Sequence, residues 1–133
     1  MHMSEDKPIG WWVRHLDRTL EEALDRALAE ADADRRQWQL LNVAEAGGSV
    51  DELAPFFATS ADADEAAREL VDRGWLETAG DRLGLTVDGA AARERLTAIV
   101  RAQRERSMVG IAPAEYAATV DVLRRMAVNL AAG

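Results

Sequence analysis

The stretch 49-SVDELAPFFATSADADEAARELVDRGWLETAGDRLGLT-86 decides how this chain folds. Ser49 or Asp51 opens a short helix over 51–58, and Pro55 inside it limits its length. Thr59-Ser60 leads into a second helix, Asp62–Arg73. Its inner face is Ala63, Ala66, Ala67, Leu70 and Val71, which recur every three or four residues. Gly74 follows where a left-handed C-terminal residue ends a helix. Trp75-Leu76 begins a strand, and Gly80-Asp81 is a two-residue turn, so 76–79 and 82–85 pair as a short hairpin. Thr86 with Asp88 caps a further helix.

Working outward, Pro8 sits near a helix start, and Ile9, Val13, Leu16, Leu20, Leu24 and Leu28 form one apolar stripe. This predicts a first helix over about 10–30. The ADAD run at 31–34 breaks the pattern, and Asp34 starts a second helix with Trp38, Leu41 and Ala44 (or Leu40 and Val43) inward. Gly47-Gly48 ends it. Beyond the hairpin, the helix capped by Thr86 extends to about Ser107. It has Ala92, Leu96, Ile99 and Val100 inside and Arg93, Arg95, Arg101, Arg104 and Arg106 on its surface. Gly110 to Pro113 is a break. A last helix over 113–130 carries Tyr116, Val120, Leu123, Met126, Ala127 and Leu130 on one stripe.

The predicted fold is therefore mainly α: a winged helix-turn-helix module at 34–86 with a short β-hairpin wing. Long helices flank it at 8–31 and 87–131, within a single domain over 1–133. A module of this size cannot cover stripes so long. The same surface of a second copy buries them at least cost. An isologous homodimer is expected, with Val13, Leu16, Tyr116, Leu123 and Leu130 in its interface.

Composition narrows the function. Cysteine is absent, which excludes disulfides, thiolate metal sites and cysteine nucleophiles. No apolar run reaches the roughly 20 residues of a membrane helix, and the first ten residues lack the apolar core of a signal peptide. A cytoplasmic protein without a membrane partner is expected. The net charge of −8 is unevenly distributed. Ten acids lie between Glu45 and Asp81 against only Arg68 and Arg73, so this segment holds the whole excess and the remainder is neutral. A DNA-reading module normally carries a basic footprint instead.

Helix, helix, short helix, helix, hairpin and two closing helices, taken in that order, resemble the multiple-antibiotic-resistance regulator (MarR) family. The residues carrying the resemblance are Gly10-Trp11-Trp12-Val13-Arg14, Gln37-Trp38-Gln39-Leu40-Leu41, Leu70-Val71-Asp72-Arg73-Gly74-Trp75, Leu85-Thr86-Val87-Asp88-Gly89 and Asn129-Leu130. The resemblance spans nearly the whole chain, and the Leu70–Trp75 block followed by Leu85–Gly89 is its most specific part. It implies a homodimeric DNA-binding transcription regulator, a bacterial-type repressor. Its 62–73 helix would enter the major groove and its hairpin would approach the minor groove. The outward positions of that helix so implied are Ser60, Ala61, Asp62, Asp64, Glu65 and Arg68; of these Ser60, Ala61, Asp64 and Arg68, with Arg82 from the wing, are the DNA-binding positions expected. It also implies a pocket for a small aromatic effector between the dimer helices and the module, where Trp12, His15 and Trp38 fall. The chain departs from the family at two points: acids stand where Ser, Thr, Gln or Arg are usual, and the basic wing tip is reduced to Asp81-Arg82.

Two readings of the acids follow. Asp62 belongs to a helix cap with Thr59, and carboxylates near a helix N-terminus stabilise it by about 0.3–1 kcal/mol each. A carboxylate about 4 Å from a phosphate loses roughly 1 kcal/mol even in water, yet Asp or Glu can accept from cytosine N4. The alternative function is a winged-helix dimer whose acidic face has lost DNA and binds a protein partner or a ligand. Trp12 and Trp38 likewise read either as core anchors or as ligand contacts. The acidic run lacks the glycine and final glutamate of a calcium loop, and His2 and His15 are the only imidazoles. No metal, no cofactor and no catalytic constellation is expected, so the chain does not read as an enzyme.

Overall fold

The structure, a computed structural model, describes residues 6–132. In chain order it contains α1 (Ile9–Ala29), α2 (Arg35–Glu45), a 3-10 segment (Val50–Phe56), α3 (Ser60–Asp72), strands β1 (Leu76–Ala79) and β2 (Arg82–Leu85), α4 (Val87–Ser107) and α5 (Pro113–Ala131). The chain divides into two units, one ending at Gln103 and one starting at Arg104.

In the first unit, helix boundaries follow local chemistry. Asp34 accepts from Gln37 N at 2.8 Å, and the Gln37 side chain accepts from Asp34 N at 3.1 Å, a reciprocal cap for α2. Thr59 Oγ1 accepts from Asp62 N at 3.1 Å and starts α3 at Ser60, two residues before the expected onset. At the far end of α3, Gly74 takes φ 86°. Trp75 N donates to Leu70 O and Gly74 N to Val71 O, the paired bonds of a Schellman ending.

One expected helix differs. The 51–58 segment forms 3-10 turns over Val50–Phe56 and no α-helix. Pro55 lacks an amide proton, and its ring opposes the α-helical carbonyl four residues earlier, so the tighter winding is the one that survives. The hairpin pairs Leu76 with Leu85 and Ala79 with Arg82, as the Gly80-Asp81 turn requires, with Gly80 at φ 66°. A third short pairing joins Ser49 to Arg82, and Leu83 N donates to Gly48 O at 2.8 Å.

The core gathers Leu28 of α1, Leu40 and Leu41 of α2, Leu53, Leu70 of α3, Trp75, Leu76, Leu83 and Leu96 of α4. Only the last third of α1 takes part, through Leu24 and Leu28. The turn from hairpin to α4 is closed tightly. Thr86 N donates to Trp75 O at 3.2 Å, Thr86 Oγ1 donates to Gly74 O at 2.5 Å, and the same hydroxyl accepts from Gly89 N at 2.9 Å. Gly89 is buried against Trp75, and a Cβ placed on it would stand 1.8 Å from the Trp75 carbonyl oxygen.

The second unit is α5 with its approach. The Ala112 amide donates to Glu115 Oε1 at 2.9 Å, and Asp121 pairs with Arg124 and Arg125. No residue of α5 is buried, and Tyr116, Val120, Leu123, Met126 and Leu130 are all exposed.

Gly89→Ala is therefore expected to destabilise the first unit by about 1–3 kcal/mol, because a backbone carbonyl cannot swing aside as a side chain does. Urea unfolding followed by far-UV circular dichroism measures it. Ala91→Gly, at an exposed position of the same helix, should cost only about 1 kcal/mol.

Candidate nucleic-acid interface

The surface of α3 is set by its buried side. Ala63, Ala67 and Leu70 are buried, so at about 100° per residue Ala61, Glu65, Arg68 and Asp72 face most directly away from the core. Ser60, Ala61, Asp62, Asp64, Glu65, Arg68 and Glu69 are all exposed. Four of the expected DNA-binding residues, Ser60, Ala61, Asp64 and Arg68, thus share one solvent-facing helix. Asp64 and Arg68 also line a cleft of about 330 Å³ between α3, the 3-10 segment and the wing, with Val50, Asp51, Thr78 and Asp81 among its walls.

Arg82 is placed differently from its neighbours in function. Its Nη1 donates to Gly47 O at 2.8 Å, which ties the wing to the end of α2. Arg73 is also held: its Nη1 donates to Asp32 O at 2.6 Å, and its guanidinium lies 3.7 Å from the Trp75 ring centroid. Asp32 accepts this bond from a left-handed backbone at φ 57°, which aspartate tolerates better than most residues. Arg68 alone of these three makes no hydrogen bond or ion pair among the described residues. On α4, Arg93 Nε donates to Asn42 Oδ1 at 2.8 Å, so the first arginine of that run joins α4 to α2.

The aromatic residues divide into two places. Trp11 stacks on His15 with centroids 4.7 Å apart, Trp12 meets Trp11 edge-on at 4.7 Å, and Lys7 lies 5.7 Å from the Trp11 centroid. Trp38 instead packs on the core and donates from Nε1 to Thr97 Oγ1 at 3.2 Å, which favours its reading as an anchor between α2 and α4. Trp12 lies 16 residues before Leu28, where α1 reaches the core, or about 24 Å along the helix. Trp12 and His15 are neighbours, while Trp38 belongs to another locality. His2 lies outside the described residues.

Val13 and Leu16 are exposed on α1, as are Ile9, Trp12 and Leu20. Tyr116, Leu123 and Leu130 are exposed on α5. Among the described residues, no three His, Asp or Glu side chains gather to hold a metal ion, and no helix is long and apolar enough to cross a membrane. Sequence reasoning missed the anchors of Arg73 and Arg82. Asp32 in the ADAD break was the single local hint, while the Gly47 carbonyl left none.

No protein-family model and no curated protein matches the sequence. Solved structures do. The MarR family protein Rv2887 of Mycobacterium tuberculosis superposes with a TM-score of 0.71 at 22% identity, covering 96% of this chain and 99% of its own. The same protein in complex with DNA gives 0.73 at 22% identity over 91% and 98%. In complex with salicylic acid it gives 0.68 at 22% over 93% and 99%. A MarR family transcriptional regulator from Rhodococcus sp. RHA1 gives 0.73 at 22%, covering 94% of each chain. The chain has the winged-helix fold of the MarR family regulators.

Arg82→Ala should lower stability by about 1 kcal/mol by releasing the Gly47 carbonyl from its charged donor, read as a fall in Tm of a few degrees. Arg68→Ala, which breaks no such bond, should leave Tm unchanged.

Proposed function

We propose that the chain is a homodimeric, DNA-binding transcription regulator of the MarR type that acts as a repressor in the cytoplasm. The observation that carries this reading is the exposed face of α3, from Ser60 to Arg68, held on a wing-braced frame. The frame's fold is shared with a protein solved in complex with DNA. An α-helix about 10–12 Å across fits a major groove about 12 Å wide. Ser60, Ala61, Asp64 and Arg68 then meet the groove, while Arg82 supports the wing from behind.

The apolar stripes on α1 and α5 support a second copy as partner. Each stripe is too long and too exposed for a lone soluble chain. In a two-fold dimer the paired α3 helices reach half-sites about one helical turn apart. The single domain then consists of the winged module with dimerisation segments at 8–31 and 87–131. The salicylic acid complex of Rv2887 supports a small aromatic effector, and the half-buried Trp11 with the exposed Trp12 and His15 rings offers it a stacking surface. Nothing in this reading calls for catalysis or a cofactor.

A second reading has its own observation. The module keeps its acids exposed while Arg73 and Arg82 are spent on backbone carbonyls, which favours a basic protein partner over DNA. A gel shift on the intergenic DNA upstream of the gene separates the two. A regulator retards that DNA at about 50 mM salt and loses most affinity by about 200 mM, because each phosphate contact releases counterions. No retardation at either salt, together with capture of a basic protein, supports the second reading. Leu16→Asp is expected to convert the dimer to a monomer by sedimentation and to weaken operator binding about 100-fold, since linked half-sites become independent.

A further inference from the structure

The reading face of α3 carries an acid and a base at its centre. Glu65 and Arg68 lie opposite the buried Ala63, Ala67 and Leu70, both are exposed, and neither is engaged by another side chain among the described residues. Ala61 on the same face has no hydrogen-bonding side-chain group. Asp72 shares the azimuth but stands at the last position of the helix, more than three turns from its N-terminus. Arg73 and Arg82 are committed elsewhere. Glu65 and Arg68 are therefore the acid and base nearest the centre of that face.

Their chemistry is complementary and selective. A carboxylate only accepts hydrogen bonds. In the major groove guanine shows O6 and N7 acceptors and thymine the O4 acceptor, so all of these repel it. Adenine sets its N7 acceptor beside its N6 donor. Cytosine shows the N4 donor with no acceptor of its own beside it, and is the base a carboxylate prefers. A guanidinium makes the reverse choice and takes guanine O6 and N7 together. Three residues apart, the two side chains are separated by about 4.5 Å of helix rise, close to the 3.4 Å step between base pairs.

We propose that Glu65 is a specificity-determining residue: it selects cytosine, while Arg68 takes guanine in the neighbouring base pair of each half-site. This rests on the DNA-binding reading above and deepens it. Glu65 acts chiefly by rejection. It repels the phosphates of every sequence and recovers affinity only where a cytosine amine meets it, so the acidity of the helix becomes a filter against other sites. The resemblance places Glu65 on the outward face without assigning it a base, and its effect runs against simple electrostatics at the matched site.

The test is selection from a random duplex library by the full-length protein, followed by affinities for the selected sequence and its single-base variants. Wild type is expected to enrich a half-site with a cytosine and a guanine in adjacent base pairs. Glu65→Gln should move the preference at the cytosine position to adenine, because Gln pairs with adenine N6 and N7. It should also bind unrelated DNA several-fold more tightly. Arg68→Ala should lose the guanine preference and at least tenfold in affinity for the selected site. Glu65→Ala serves as a second variant at this exposed position and should relax the cytosine preference without a new one. A wild type that selects a sequence which Glu65→Gln selects unchanged, or a Glu65→Gln that gains the same factor on every sequence, overturns the proposal and leaves the DNA-binding reading standing. A wild type that selects no DNA overturns both.

Discussion

The Trp75 carbonyl is the point on which the module turns. It receives the Thr86 amide, and the first turn of α4 closes down on it at a position only glycine can occupy. The Thr86 hydroxyl completes the joint by bonding the Gly74 carbonyl on one side and the Gly89 amide on the other. Four consequences meet here. α3 ends at Gly74, β1 leaves from Trp75, β2 returns at Leu85 opposite Leu76, and α4 begins at Val87. The direction of the wing relative to the reading helix is thus fixed at the hairpin's base, so a hairpin of two four-residue strands needs little beyond it. The Ser49 bridge and the Arg82 bond to Gly47 add the remaining brace from α2.

This economy has an electrostatic consequence. Two of the three arginines that lie in or beside the acidic segment, Arg73 and Arg82, are used as struts. Arg73 crosses from the end of α3 to the α1–α2 connection and covers the Trp75 ring, and Arg82 reaches back to Gly47. The acids, by contrast, remain at the surface. Asp62 contributes its amide to the Thr59 cap, and its charge suits the positive end of the helix, as would any acid in that turn. Stabilising the frame and attracting a polyanion therefore compete for the same few residues. At this module the frame has taken nearly all the positive charge. What the frame leaves for the proposed contact with DNA is Arg68 and whatever base edges can donate to a carboxylate.

Features that depend on neighbours in sequence were legible beforehand. The Asp34 and Thr59 caps, the Gly74 ending, the Gly80-Asp81 turn and the Thr86 cap each act over two to five residues, and each stands where the sequence places it. The family resemblance in Leu70–Trp75 and Leu85–Gly89 now has a physical basis, since the two blocks are the two halves of one joint. Long-range partners left no such trace. Trp38 finds Thr97 at 59 residues' separation, Arg93 finds Asn42 at 51, Arg73 finds Asp32 at 41 and Arg82 finds Gly47 at 35. Each residue type admitted a functional reading, a ligand contact for Trp38 and nucleic-acid contacts for Arg82 and Arg93. Only three-dimensional structure reveals the competing structural employment. The 3-10 segment failed for a related reason: Pro55 announces a limit on an α-helix but not which shorter winding replaces it.

The exposed part of α1 ties these local facts to control. Leu24 and Leu28 join the core, but the helix extends about 20 Å further toward Ile9 with its apolar residues in solvent. Nothing in the first unit's core depends on that extension, so the reading helix keeps its shape whether or not the extension is covered. In the proposed dimer, covering it fixes where a second module stands. A ligand stacking on Trp11, Trp12 or His15 then acts at the support of the dimer, far from α3. In the proposed dimer it would act by changing the spacing between two faces, and an operator with half-sites one turn apart is sensitive to spacing. In the proposed regulator, base selection and effector response would thereby reside in different parts of the chain: the first in the joint-braced module, the second in the helix that extends beyond it.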